Sequence, residues 1–403
     1  MSMSSIFSSV ELAPRDPILG LTEAFNTDSR PGKVNLGVGV YYNDQGRIPL
    51  LDCVRAAERE LVQRASPRGY LPIEGPAAYA SLVQRLLFGP DSEAIKSGRC
   101  VTAEGLGGTG ALRIGAELVK RLSPSATVLI SEPSWENHRA LFEAAGFKVQ
   151  SYPYYDPATH GLDFPAMLAA LGRAEPGTVV VLHACCHNPT GVDPDAPQWR
   201  QIVDCVRERN LIPFLDIAYQ GFGEGLEADS AVVRLFESAR IHALVASSFS
   251  KSFSLYGERI GALTLLTPSR DAAERVLSQI KRVIRASYSN PPTHGVSLVT
   301  AVLASAELRA QWERELATMR ERIQSMRDRL VEGLARRGVS RDFSFVRRQR
   351  GMFSYSGLSS SQVDRLREQH AIYAVGTGRI CVAAMNSGNV DTVCDAIATV
   401  LKS

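Results

Sequence analysis

Four apolar runs in the middle of the chain constrain the fold more than any other feature. TVVVLHA (178–184), LIPFLDI (211–217), ALVASSF (243–249) and IGALTLL (260–266) are nearly continuous in hydrophobicity rather than alternating. A strand with one wet face alternates with period two, whereas a strand covered on both faces has no such need. These four read as strands buried inside a layered fold, and TVLIS (127–131) reads as a fifth. Helical patterns fall between several of them, around 136–145 and 197–209. Strand, helix and strand in succession mean crossover connections, so the expectation is an α/β fold whose mostly parallel sheet is covered by helices.

The last third changes character. From 291 to 337 the pattern is helical and rich in Arg, Glu, Leu and Met, with QWERELATMRERIQSMRDRL at its centre. Short strand-like pieces (FSYSG, RICVAAM) and a closing helix follow, which reads as a smaller α+β unit joined by a long helix. The extended VNLGVGVYYN segment precedes the first helix of the large unit and is expected to pack with the small one. The expected organisation is an N-terminal arm and part of the small unit (1–48), a large unit (49–300) and a small C-terminal unit (301–403).

A chain of 403 residues can bury a large core without a disulfide or metal staple. Its net charge of +3 is too small for a nucleic-acid or membrane-surface protein, so anion recognition must come from a few placed arginines. Seven cysteines without paired spacing suit reduced thiols in a cytoplasmic enzyme. The opening MSMSSIFSSVELAPRDP lacks the basic and apolar regions of a secretory signal.

Three short patterns point in different directions. Gly105-Leu106-Gly107-Gly108-Thr109-Gly110 matches G-x-G-x-x-G before a helical stretch, and Glu132 stands where a dinucleotide fold would put its ribose-binding acid. The same glycines could make a plain tight turn, or offer free backbone N–H groups to any phosphate. The loop alone does not choose. Ser248-Phe249-Ser250-Lys251 matches S-x-x-K formally, but S-D-N and K-T-G partners are missing. His183-Ala184-Cys185-Cys186-His187 packs four soft ligands into five residues at a strand end, where alternate side chains point to opposite faces. Buried thiols are the expectation there, and no metal site.

The residues at the strand ends decide between these readings. Asn188 follows one strand; Asp216 and Tyr219 close the next; Ser248, Ser250 and Lys251 close another; Arg259 precedes the last. In open α/β sheets ligands bind outside the carboxyl ends of the strands, so these groups are expected in one cleft. An amine, a carboxylate, hydroxyls and an arginine are complementary to a carbonyl cofactor that bears a pyridine and a phosphate.

CHNPTG (186–191), FLDIAYQGF (214–222) and SSFSKSFSLYGERIG (247–261) resemble the class I aminotransferases of fold type I, especially their aspartate and aromatic amino-acid subgroup. The likeness continues in order through GYLPIEG (69–75), GGTGAL (107–112), PSWENH (133–138), VIRASYSNPPTHG (283–295), RGMFSYSGL (350–358) and GRICVA (378–383). It implies a seven-stranded, mostly parallel sheet with a smaller α+β domain, and pyridoxal 5'-phosphate as cofactor. On that resemblance Lys251 would hold the cofactor covalently and shuttle the proton, while Asp216, supported by His138, would keep the pyridine nitrogen protonated. Asn188 and Tyr219 would bind the cofactor's ring hydroxyl, and Trp135 would stack on the ring. Gly108, Thr109, Ser248, Ser250 and Arg259 would hold the phosphate, joined by Tyr70 from the neighbouring subunit of a homodimer. Arg379 would clamp the substrate α-carboxylate with help from Asn188 and the Gly39 backbone, a bidentate task that lysine does poorly. Arg285, again from the partner subunit, would take a distal carboxylate.

Arg285 implies dicarboxylic substrates without excluding aromatic ones, because the subgroup's second half-reaction uses a dicarboxylate. Tyr42 and Ile48 resemble aromatic members; Val40, Thr109 and Asn290 resemble aspartate enzymes; Gly69 fits neither pattern cleanly. The expectation is dual specificity with aromatic activity favoured.

Overall fold

The computed structural model describes residues 5–13 and 18–402; residues 1–4, 14–17 and 403, which the expected arm and small unit also include, lie outside them. Seven strands form the central sheet: β1 (Cys100–Leu106), β2 (Thr127–Glu132), β3 (Lys148–Pro153), β4 (Val179–His183), β5 (Ile212–Ile217), β6 (Leu244–Ser248) and β7 (Ile260–Leu266). Their order across the sheet is β1-β7-β6-β5-β4-β2-β3. All neighbours are parallel except β7, which runs antiparallel to both β6 and β1. The reason is local: β6 and β7 are joined by the short 249–259 loop with no crossover helix, so the chain returns beside itself.

Every residue of β4, β6 and β7 is buried, as the unbroken apolar runs require. β1 and β3 are strands that the apolar runs did not indicate. β3 lies at the sheet edge with Lys148, Ser151 and Pro153 exposed, and β1 carries Thr102, Glu104 and Gly105 within an otherwise buried strand. The helix Gly107–Leu122 begins where β1 stops and lies close on the sheet, since a Cβ at Gly115 would sit 2.4 Å from the Phe214 ring. That close approach aims the helix N-terminus at the edge where β4, β5 and β6 end.

The N-terminal segment pairs with strands near the C-terminus. Val34–Asn35 pairs in parallel with Ile372–Tyr373, and the Leu36 carbonyl accepts from Cys381 N–H at 2.7 Å. Phe353–Tyr355 pairs antiparallel with Arg379–Cys381. Position 300/301 lies within the helix His294–Ala304, and Ser305 begins the next helix, Ala306–Arg336, whose first turn its side chain caps by accepting from Leu308 N–H. That long helix buries Leu308, Trp312, Leu316, Met319, Ile323, Met326, Leu330 and Leu334, a stripe at three- and four-residue spacing that faces the core. Among the described residues no helix is long and apolar enough to cross a membrane.

Candidate active site

Parallel strands that end along one edge put their last side chains around one cleft. Here that edge opens into a cavity of about 510 Å³. It brings together Gly39, Gly108, Thr109, Trp135, Asn188, Asp216, Tyr219, Ser248, Ser250, Lys251, Arg259 and Arg379, each anticipated from the sequence.

Lys251 stands three residues beyond β6, on a loop pinned by the long helix. Trp312 stacks on Phe253 with ring centroids 4.5 Å apart and donates its Nε1 hydrogen to the Ser252 carbonyl at 2.7 Å. Burial strips the ammonium of hydration and brings the Lys251 amine down to about 8; the Asp216 carboxylate opposes that shift and the Arg259 charge adds to it. The Lys251 Nζ sits 4.8 Å from the centre of the Tyr219 ring. Burial also pushes the Tyr219 phenol far up, which keeps its hydroxyl protonated as a donor.

Asp216 lies inside β5, and its Oδ2 is 2.9 Å from His138 Nε2. An ionised carboxylate only accepts, so His138 donates; His138 Nδ1 in turn lies 2.9 Å from Ser134 Oγ. Burial would raise the Asp216 carboxyl, yet the His138 hydrogen bond and the nearby positive charges outweigh it and hold it below the usual carboxylate range. The result is a permanent buried anion opposite a readily neutralised amine. His183, also on the cavity wall, is held neutral by burial and packs its ring 4.9 Å from His138.

At the other end the helix Gly107–Leu122 begins beside Ser248 and Arg259, with the Gly107 N–H donating to the Arg259 carbonyl at 2.9 Å. Arg259 Nη1 donates to the Tyr256 carbonyl at 2.9 Å and to Ser250 Oγ at 3.4 Å. Gly107 has φ of 69°, and a Cβ there would lie 2.5 Å from the Arg259 guanidinium; a Cβ at Gly108 would lie 3.1 Å from that of Ser248. Side chains on either residue would fill the cradle. Amides, two hydroxyls and a guanidinium around a glycine-lined hollow suit a phosphate dianion. With the amine and the buried carboxylate, the donor set fits pyridoxal phosphate in charge and polarity at each end.

Arg379 is fully buried. Its Nη2 donates to the Gly37 carbonyl at 2.7 Å and its Nη1 to Asn188 Oδ1 at 3.2 Å, while its Nε has no partner in the chain. Its guanidinium carbon lies 4.4 Å from the centre of the Phe353 ring. Gly39 sits nearby on the wall, close enough to Phe353 that a Cβ would fall 2.6 Å from the ring.

Three anticipated residues stand apart from the cavity. His138 is one step behind it, through Asp216. Tyr70 is 95% exposed, and Arg285 is exposed in the last turn of the helix Arg270–Ser287, where it donates to Ser289 Oγ. Tyr42 and Ile48, the two positions that resemble aromatic members, also do not line this chain's own cavity: the Tyr42 N–H is tied to the Ala383 carbonyl at 3.0 Å, and Ile48 is half-exposed. Sequence reasoning missed Phe353 and Tyr256. Tyr256 accepts from Tyr41 N–H at 2.9 Å through its hydroxyl, linking the Arg259 loop to the segment that carries Gly39.

The rival sequence readings separate on geometry. Four strands lie between β1 and β2, so Glu132 is far across the sheet from the glycine turn and accepts instead from Ser151 at 3.0 Å. Of the HACCH run, His183 groups with His138 and Asp216, whereas Cys185 and Cys186 group separately with Asp229.

The sequence model of the family described as aminotransferase class I and II matches residues 31–397. An aspartate aminotransferase from Pseudomonas aeruginosa is 62% identical over 397 residues, covering 98% of this chain and all of the relative. An aromatic-amino-acid aminotransferase from Escherichia coli is 48% identical over 399 residues, again across 98% of this chain and all of the relative. Among solved structures, an aromatic-amino-acid aminotransferase from Burkholderia pseudomallei covalently bound to pyridoxal phosphate superposes with a TM-score of 0.97 at 66% identity, covering 99% of this chain and 100% of that one.

Proposed function

This chain belongs to the class I and II aminotransferases, and we propose that it moves amino groups between 2-oxoglutarate and both aromatic amino acids and aspartate, with aromatic substrates favoured. It is a pyridoxal-phosphate-dependent transaminase acting on amino acids and 2-oxo acids. The single observation that carries the site assignment is the meeting of Lys251, Asp216, Arg259 and Arg379 in one cavity. Relatives named for aspartate and for aromatic substrates match it along nearly its whole length, which supports activity on both.

When bound, pyridoxal phosphate supplies an electrophilic carbon that takes up amino groups and a pyridinium ring that delocalises the electrons freed as the substrate's Cα–H bond breaks. Lys251 would hold it covalently and, once freed, take the Cα proton at Nζ; an amine near 8 is in part neutral at physiological pH and able to do so. Asp216 would keep the pyridine nitrogen protonated, and His138 with Ser134 would keep Asp216 aimed. Tyr219 and Asn188 would donate to the ring hydroxyl, and Trp135 would cover one ring face. The Gly108 and Thr109 amides, Ser248, Ser250 and Arg259 would bind the phosphate. Arg379 would grip the α-carboxylate, its unused Nε and Nη donors suiting a two-point contact, with Asn188 and Gly39 beside it.

Tyr70 and Arg285 are exposed and do not line this chain's cavity, and that exposure supports a homodimer in which each would complete the partner's site. Arg285 would then take the distal carboxylate of dicarboxylic substrates. Seven free cysteines suit work in the reducing cytoplasm. Stopped-flow half-reactions with tyrosine, phenylalanine and aspartate, followed by the cofactor's visible absorbance, rank the substrates by kcat/KM. Tyrosine reacting orders of magnitude more slowly than aspartate would overturn the aromatic preference and leave a strict aspartate aminotransferase.

A further inference from the structure

A second cavity, of about 410 Å³, lies between the long helix Ala306–Arg336, the 347–351 segment and the loop that follows β5. Its wall carries Arg320, Arg327, Arg347, Arg348 and Arg350 against one acid, Glu224. Like charges gathered around a concave space repel one another and focus a positive potential into it. Two of the five are neutralised locally: Arg350 pairs with Glu224 at 2.6 Å, and Arg347 pairs outside the cavity with Asp328 and Glu332 at 2.8 and 3.3 Å. Among the described residues no carboxylate pairs with the other three. Arg320 donates to the Gly221 carbonyl at 2.9 Å; the fully buried Arg327 spends its Nη donors inside the chain, on Ser354 Oγ and the carbonyls of Val346, Gly351 and Phe353 at 3.3, 2.8 and 2.6 Å, and contributes its charge to the cavity rather than a free donor. Gln349, 3% exposed on the same wall, keeps its side-chain Oε1 buried without a donor.

We propose that this cavity is a second ligand site, separate from the catalytic cleft, for a compact multiply charged oxyanion bearing phosphate or carboxylate groups. Guanidinium groups bind both by paired N–H···O contacts, and the unpaired Gln349 oxygen accepts from a protonated ligand oxygen or a bridging water. The volume suits a molecule of a dozen or so heavy atoms. The site also touches the catalytic machinery. Arg350 N–H donates to the Gly191 carbonyl at 2.7 Å, and Gly351 packs so tightly on Cys186 that a Cβ would approach it to 2.5 Å. Both contacts grip the CHNPTG turn, whose Asn188 meets Arg379. An anion that draws the 347–351 arginines inward therefore bears on the residue pair assigned to the α-carboxylate.

The test is calorimetric titration of the cofactor-loaded enzyme at constant ionic strength, with succinate saturating the catalytic cleft. Inorganic pyrophosphate is the probe in one arm and citrate in the other. One saturable site per chain is expected, about tenfold weaker in both Arg348→Gln and Arg320→Gln, the loss that one charge-assisted contact typically brings. Tighter pyrophosphate assigns a phosphate ligand and tighter citrate a polycarboxylate. Flat titrations in both arms, or binding that neither substitution weakens, overturn the proposal. Arg348 is exposed, so its variant is expected to fold, and an unchanged cofactor absorbance verifies that it has.

Discussion

Two sets of residues assigned to one reaction are held in opposite ways. Asp216 and Arg379 are buried and Lys251 is half-buried in the same cleft, each fixed by neighbours from distant parts of the chain: Trp312 behind the lysine loop, His138 behind the aspartate, Gly37 and Asn188 against the arginine. Tyr70 and Arg285 hang on the surface with little to hold them. A buried ionisable group has its charge set by its surroundings before any ligand arrives, and that is how Lys251 comes to titrate near 8 while Asp216 stays ionised. An exposed arginine has no such setting; its chemistry waits for a second surface. The interior set is specified by one chain's fold, the outer set by assembly.

The largest break in the interior set is Lys251→Ala, expected to cut steady-state turnover by at least about ten-thousand-fold, since it removes both the covalent tether and the proton carrier. Asp216→Asn keeps the shape but loses the buried anion. Turnover is expected to fall by about a hundred- to a thousand-fold, with the pH dependence of the cofactor's absorbance displaced; an unchanged absorbance profile would mean that Asp216 does not face the pyridine nitrogen.

The depressed lysine also leaves a thermodynamic mark on the cofactor-free protein. Below about 8 the amine is charged in both folded and unfolded states, and above its usual 10.5 it is neutral in both. Between those values only the unfolded chain holds the proton, so raising the pH through this window stabilises the fold, by roughly 3 kcal/mol at most from this residue. Urea unfolding of the cofactor-free protein at pH 7.5, 9 and 10.5 measures it, and Lys251→Met should flatten the trend.

The outer set predicts a smaller and selective effect. Arg285→Leu should lower kcat/KM for aspartate by roughly ten- to a hundred-fold and leave tyrosine nearly unaffected, as expected from the loss of one charged contact. Mixing Arg285→Leu with Lys251→Ala subunits sharpens the comparison. If Arg285 serves the partner's site, hybrid dimers recover aspartate activity in one of their two sites; no recovery would place Arg285 in its own chain's reaction.

The interior of the sheet was legible because burial on both faces leaves a compositional mark: the runs that became β4 to β7 contain almost nothing but apolar residues. β3 left no such mark because an edge strand tolerates Lys148 and Ser151 in solvent. β1 was masked by Thr102, which pairs with Thr264 at 2.9 Å, and by Glu104, whose burial raises its carboxyl to about 8. At the site, residues with distinctive chemistry at strand ends could be read, and the family resemblance supplied their roles. Phe353 and Tyr256 could not, because one contributes only a ring face and the other a single hydroxyl to contacts between segments that the sequence does not juxtapose. The arginines of 347–351 were equally silent, since their crowding depends on the helix that carries Arg320 and Arg327.

The pairing of Val34–Asn35 with Ile372–Tyr373, and of Leu36 with Cys381, has a consequence for the order of assembly during translation. The seven-stranded sheet has all its strands once residue 266 has emerged, yet the segment that carries Gly37 and Gly39 has no strand partner until residues 372–381 follow. At ribosomal speeds of about 5–20 residues per second, that interval is on the order of ten seconds. Through it a nascent chain carries the strands of the sheet beneath an open roof, so the cleft closes after the sheet is complete.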